Sequence, residues 1–265
     1  MGTLALVQLS QQEVREQILH IWQTARETWL IPLHIGPVDI SINRMIWTLW
    51  FGAVVTFLVL FIGSRLLKNR PGAYQVIVEE IYGFGRKWLG GQMGEEAQKW
   101  MPYTLSLFVF LLTLNLIGLI PNTYPVTSNI SFTLALAILT LILYQYQGIR
   151  RNGVKRYFQT FVPPGMPLKV VMVPFMFFIE ALQQFITQPL TLGMRLYANI
   201  LAGHLIIFVF LSLILYFSPV VAFVSVPMAV IFYAFEIFVA IIQAYIFAIL
   251  TQVYIELAMY ADEQH

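Results

Sequence analysis

Long apolar runs, separated by clusters of charge, set the architecture of this chain. Residues 45–64, between Arg44 and Arg65, are all uncharged and include Trp47, Trp50, Phe57 and Leu60. That length matches the ~20 residues needed to cross ~30 Å of hydrocarbon. Residues 100–149 are uncharged as well, enough for two crossings, with Pro121-Asn122-Thr123-Tyr124-Pro125 as the turn between them. After Pro174 two further apolar stretches follow, near 175–217 and 220–260, parted by Ser218-Pro219. At ~1.5 Å per residue each would be about 60 Å long, twice the bilayer core, so both must tilt steeply or bend. Pro189 and Pro227 are the candidate kinks. The pattern predicts spans near 45–64, 101–120, 130–147, 175–217 and 220–260. This is an all-α polytopic membrane protein with about five membrane-embedded helices, the last two forming a long, strongly tilted hairpin.

The remaining segments are amphipathic. Val14, Ile18, Leu19, Ile21, Trp22, Ala25 and Trp29 recur at helical spacing among polar residues, which predicts a short helix on the membrane surface, ended by Pro32 and Pro37. Residues 1–40 are read as an N-terminal extension on the outer face and 41–265 as a single membrane domain. Residues 73–99 follow the Pro71-Gly72 break and mix Glu79, Glu80, Arg86, Lys87, Glu95, Glu96 and Lys99 with apolar positions. They predict a second surface helix rather than a span. The first ten residues lack the basic start of a secretory signal and read as mature sequence.

Composition agrees with this pattern. The 265 residues are 59% hydrophobic and 11% charged, against about 25% charged in soluble domains. The absence of cysteine removes disulfides and thiolate chemistry. No nucleic-acid motif or phosphate-cradling loop is present. The distribution of charge says more than the total: Arg65, Lys68, Arg70, Arg86, Lys87, Lys99, Arg150, Arg151, Lys155, Arg156 and Lys169 all fall on one side of the predicted topology. The positive-inside rule makes that side cytoplasmic, with the N-terminus outside and the C-terminus inside.

One charge stands apart. Between Glu180 and Glu236 the only Lys, Arg, Asp or Glu is Arg195. An arginine at mid-bilayer costs from ~2.5–3.5 kcal/mol on insertion scales to ~10 or more in simulations, and it cannot escape by losing its proton. At 100° per residue Gln184, Gln188, Thr191 and Asn199 all fall within about 40° of it, so a polar stripe Gln184/Gln188/Thr191/Arg195/Asn199 runs down one helix face. Gln, Thr and Asn alone would be helix-packing glue; centred on an arginine they imply a wet or partner-facing surface. His204 points away from that stripe. Glu236 and Gln243, seven apart, share a face of the last helix. Glu180 lies fifteen residues before Arg195, roughly 22 Å along the axis. Taken singly, a membrane histidine or glutamate is as often a neutral structural group. Three of them flanking one arginine point to an ion path. The histidines His20, His34, His204 and His265 are scattered and form no metal-binding pair, no cofactor is expected, and no serine or threonine has an evident base. A self-contained secondary transporter stays open as the alternative, although no inverted repeat is visible.

The run 188–204, Gln-Pro-Leu-Thr-Leu-Gly-Met-Arg-Leu-Tyr-Ala-Asn-Ile-Leu-Ala-Gly-His, resembles the arginine-helix signature of the proton-channel subunit a family of F-type ATP synthases. Phe235-Glu236-Ile-Phe-Val-Ala-Ile-Ile-Gln243 resembles the family's last-helix signature, and Asn115 sits in a third, weaker motif, Leu114-Asn115-Leu116-Ile117-Gly118-Leu119-Ile120-Pro121. Bacterial members often carry an aspartate where this chain has Gly118. The resemblance implies that Arg195 is the stator arginine facing a rotating ring of c subunits, with Asn199 and Gln243 beside it. It implies that His204 and Glu236 line the half-channel open to the outside. Glu180 matches the acid of the inner half-channel, one residue further from the arginine than in the commonest spacing. Gln184, Gln188, Thr191 and Asn115 would be supporting polar groups. Implied partners are the c-subunit ring, peripheral-stalk b subunits, other ATP synthase subunits, the lipid bilayer and protons, in a bacterial plasma membrane or, alternatively, a mitochondrial inner membrane. ATP chemistry would lie in other subunits.

Overall fold

A computed structural model describes residues 34–35, 38–39, 44–65, 83, 99–120, 123–162, 169–216 and 222–261. The expected surface helices of 11–30 and 73–99 (residues 83 and 99 apart) and the Ser218-Pro219 break lie outside them. The chain forms two compact units, Met1–Phe51 and Gly52–His265. In the first, β1 (His34–Ile35) pairs antiparallel with β2 (Val38–Asp39), His34 opposite Asp39. The first turns of α1 (Arg44–Arg65) also belong to it. There Trp47 and Trp50 meet edge to face at 6.0 Å between ring centroids.

The second unit holds the rest of α1, then α2 (Met101–Leu119), a 3₁₀ turn (Val126–Ser128), α3 (Ile130–Asn152), α4 (Val154–Gln159), α5 (Lys169–Leu182), a π-helical turn (Gln183–Thr187), α6 (Gln188–Tyr216) and α7 (Ala222–Met259). Among the described residues five helices are long and apolar enough to cross a membrane. All-α architecture and five spans match the reading of the sequence, but two boundaries move. The third span continues to Asn152 rather than 147, because Arg150 and Arg151 occupy its last turn, where cations favour the carbonyl end of a helix. The fourth belongs to a helix that starts at Lys169 rather than 175, with Pro174 inside it at the cost of one backbone hydrogen bond.

At Pro189, one of the candidate kinks, the helix changes type. A proline has no N–H and its ring crowds the carbonyl four residues earlier. The chain widens into one π turn just before it, and the Gln188 N–H bonds the Gln183 carbonyl. The Gln184 carbonyl is then left without a backbone donor, because its π partner would be Pro189. The Tyr144 hydroxyl of α3 donates to it instead, at 2.6 Å. A π turn holds one residue more than an α turn, so this one interrupts the α-helical repeat between Glu180 and Arg195. Pro227, by contrast, lies within an α7 that remains helical throughout.

α7 is the spine. Ala240, Ala244 and Ala248 are fully buried at four-residue intervals, a row of small side chains that lets neighbouring backbones approach. Asn115 of α2 donates to the Ala240 carbonyl, and Tyr233 of α7 to the Leu119 carbonyl. Asn199 of α6 meets Gln243, and His204 meets Glu236. Rising numbers on one helix pair with falling numbers on the other, so α7 runs antiparallel to both α2 and α6. The core joins Leu105, Phe108 and Leu111 of α2, Ala137 of α3, Leu192 and Leu196 of α6, and Phe247 of α7. Large apolar side chains such as Phe57, Phe178 and Phe223 are exposed, while Thr104, Thr133, Gln243 and Thr251 are buried. That inversion of a soluble protein suits a hydrocarbon surround.

Candidate functional site

Leu192, Leu196 and Ile200 of α6 face the core, each at most 2% exposed. Arg195 and Asn199, one position earlier in successive turns, are therefore turned outward and exposed. Among the described residues no carboxylate lies within ion-pair distance of Arg195. It borders a cleft of about 380 Å³ between α6 and α7, with Asn199, Gly203, Glu236 and Gln243 in the same wall. Asn199 Nδ2 donates to Gln243 Oε1 at 2.6 Å. The buried Gln243 Nε2 finds no acceptor among the described residues.

At the far end of the cleft, Glu236 is 3% exposed and its Oε1 lies 2.6 Å from His204 Nδ1. The same nitrogen is 3.1 Å from the Ile200 carbonyl, and Nε2 is 3.2 Å from the Gly118 carbonyl. Every neighbour of the imidazole is thus an oxygen. Nε2–H donates to Gly118, and a proton must sit between Nδ1 and the carboxyl, bound either to nitrogen or to oxygen. The carboxyl has no other donor among the described residues. Gly203 makes room for it: a Cβ there would lie 2.5 Å from Glu236 Oε1.

A second pocket, about 160 Å³, opens at the other end of α6 and shares no residue with the first. Tyr144, Tyr157, Glu180, Gln183, Gln184, Gln188 and Tyr254 line it. Gln184 Nε2 donates to Glu180 Oε1 at 3.0 Å, and Gln184 Oε1 accepts from the Tyr157 hydroxyl at 3.2 Å. Tyr144 OH also reaches Gln188 Oε1 at 3.1 Å. Burial, and next the charge of Glu180, push the Tyr157 phenol above its ordinary pKa.

The family model described as ATP synthase A chain matches residues 45–256. The chain belongs to that family. ATP synthase subunit a of Rubrobacter xylanophilus is 62% identical over 98% of this chain and all of its own length. Its counterpart in Chlorobium phaeobacteroides is 38% identical over 87% of this chain and 69% of its own. In Beijerinckia indica the figures are 36%, 87% and 92%. A member of the ATP synthase A chain family is a non-catalytic proton-transport component of the Fo sector. Membership decides against the self-contained transporter.

Within this family member the stripe expected on one helix face divides. Thr191, Arg195 and Asn199 stay exposed, whereas Gln184 and Gln188 turn towards Tyr144 and Tyr157. A uniform 100° wheel cannot represent the π turn that carries Gln184. Asn115 is buried between α2 and α7, with its Oδ1 lacking a donor among the described residues. Tyr144, Gln145, Tyr157 and Gly203 were not singled out from the sequence. A Tyr-Gln-Tyr run at 144–146 inside an otherwise apolar stretch was a visible signal; nothing marked Tyr157 or Gly203.

Proposed function

We propose that Arg195 is the stator arginine of a proton-driven rotary motor, set between two half-channels that end in this subunit. The observation that carries this reading is an exposed guanidinium with no acid of its own among the described residues, lining a mostly apolar cleft that shares no residue with the polar pocket around Glu180. Leu192, Phe247, Ala248 and Thr251, each at most 2% exposed, fill the helix segments separating those cavities. The two cavities share no lining residue. The route continues on the exposed Arg195 face, where a partner's carboxylate passes.

In this reading a proton from outside reaches the His204–Glu236 pair, crosses the 2.6 Å contact, and follows the cleft past Gln243 and Asn199. The orphaned Gln243 Nε2, Glu236 Oε2 and Asn115 Oδ1 are groups of the kind that water pairs in folded proteins. The proton neutralises a c-subunit carboxylate, which then turns into lipid without the cost of a buried charge. At the Glu180 pocket another carboxylate releases its proton towards the inside, because the fixed charge of Arg195 favours the ionised form. The same charge repels hydronium and blocks a leak. Each proton supplies ~2.3 kcal/mol per 100 mV, so several are summed for each ATP. The peripheral-stalk b subunits would hold the chain against the ring's torque, the N-terminus lying outside and the C-terminus in the cytoplasm of a bacterium.

Arg195→Lys and Arg195→Ala are expected to assemble and to abolish ATP-driven proton pumping in inside-out vesicles. Pumping retained by either variant would overturn the assignment.

A further inference from the structure

We propose that Tyr157 is a positioning residue for proton exit, acting through Gln184 to orient the Glu180 carboxylate. The inference rests on the reading of Glu180 as the acid of the inner half-channel. A Gln side chain offers one acceptor and one donor end, and its neighbours decide which end faces which way. Here Gln184 Oε1 accepts from Tyr157 OH at 3.2 Å and lies 3.4 Å from Gln145 Nε2. With two donors on its oxygen, the amide NH₂ is turned to Glu180 Oε1, 3.0 Å away. The flipped amide would set a carbonyl oxygen against the carboxylate.

The backbone contributes to the same end. Gln184 sits in the π turn, and its carbonyl is held by Tyr144 at 2.6 Å, so the side chain projects from an anchored point. Tyr157 reaches the pocket because α3 stops at Gly153, whose φ of 77° is open to glycine and rarely to other residues. The chain there turns into the short helix α4. The phenol ring is 1% exposed and packs against Phe158 and Phe161 at 5.8 and 5.6 Å. Only its hydroxyl faces polar groups. Burial and the charge of Glu180 both favour the neutral phenol, the form whose hydroxyl donates to Gln184 Oε1. Among the residues lining the pocket, Glu180 is the one charged group; the other titratable ones are Tyr144, Tyr157 and Tyr254.

The test uses the intact complex in inside-out vesicles, with Tyr157→Phe, Gln184→Leu and the double variant. Tyr157→Phe keeps the ring and loses the hydroxyl. It should slow ATP-driven proton pumping about three- to ten-fold, the range of one lost hydrogen bond, with unchanged amounts of assembled complex. Gln184→Leu should slow pumping at least as much, and the double variant no further than Gln184→Leu alone. A purely structural tyrosine would instead leave Tyr157→Phe at the parental rate or give losses that multiply in the double variant; either result overturns the proposal. Glu180→Gln, measured in parallel, separates the two levels of the argument. If it pumps normally, the reading of Glu180 fails and the proposal with it. If it is inactive while Tyr157→Phe is normal, only the positioning role falls.

Discussion

A single methyl group added at Gly203 addresses the proton-sharing pair directly. The new Cβ of Gly203→Ala would lie 2.5 Å from Glu236 Oε1, 2.7 Å from Cδ and 2.9 Å from Cγ. Non-bonded carbon atoms settle at about 3.5–4.0 Å, so the carboxyl must retreat by roughly 1 Å. Its contact with His204 Nδ1, 2.6 Å in the parent, then opens towards ~3.5 Å, beyond hydrogen-bond reach. Misplacement of a reacting group by about 1 Å costs on the order of 10²-fold in rate. Alanine is the better helix former by about 1 kcal/mol, so the variant should assemble normally. The expected outcome is a normal yield of complex, with ATP-driven pumping and proton-driven ATP synthesis both reduced about 10- to 100-fold. Pumping within two-fold of the parent would refute the claim that the carboxyl's position against His204 governs proton entry.

Two further outcomes concern stability. Tyr144→Phe strands the Gln184 carbonyl beside Pro189, and a buried unsatisfied carbonyl costs about 1–3 kcal/mol; thermal denaturation of the solubilised complex should release this chain at a lower temperature than in the parent. Ala244→Leu forces a large side chain into a position with no exposure, where overpacking typically costs about 1–3 kcal/mol. The amount of chain recovered with the complex from membranes should fall.

The number of spans and the placement of Arg195 were legible because both follow from local rules. Twenty uncharged residues cross a bilayer whatever their neighbours, and an arginine isolated among apolar residues demands a partner whatever the packing. The shared face of Glu236 and Gln243 was legible too, since α7 is regular and seven residues make two turns. The single wheel holds from Gln188 to Asn199, within regular α6, but misplaces Gln184, because Pro189 acts on the turn before it. A change in helix type is invisible to a method that assumes one period.

What the sequence determined by itself is the membrane-spanning framework and the inventory of polar groups it carries into the bilayer. Periodicity and charge spacing express these directly. What only tertiary structure decided is which of those groups meet. Glu236 finds His204 rather than Arg195, Gln184 finds Tyr157 and Glu180, and the cleft at Arg195 and the pocket at Glu180 share no residue. These pairings span from 4 to 32 residues along the chain. They depend on antiparallel helices brought close by alanines and glycines, a register set by packing between helices rather than by the pattern along any one of them.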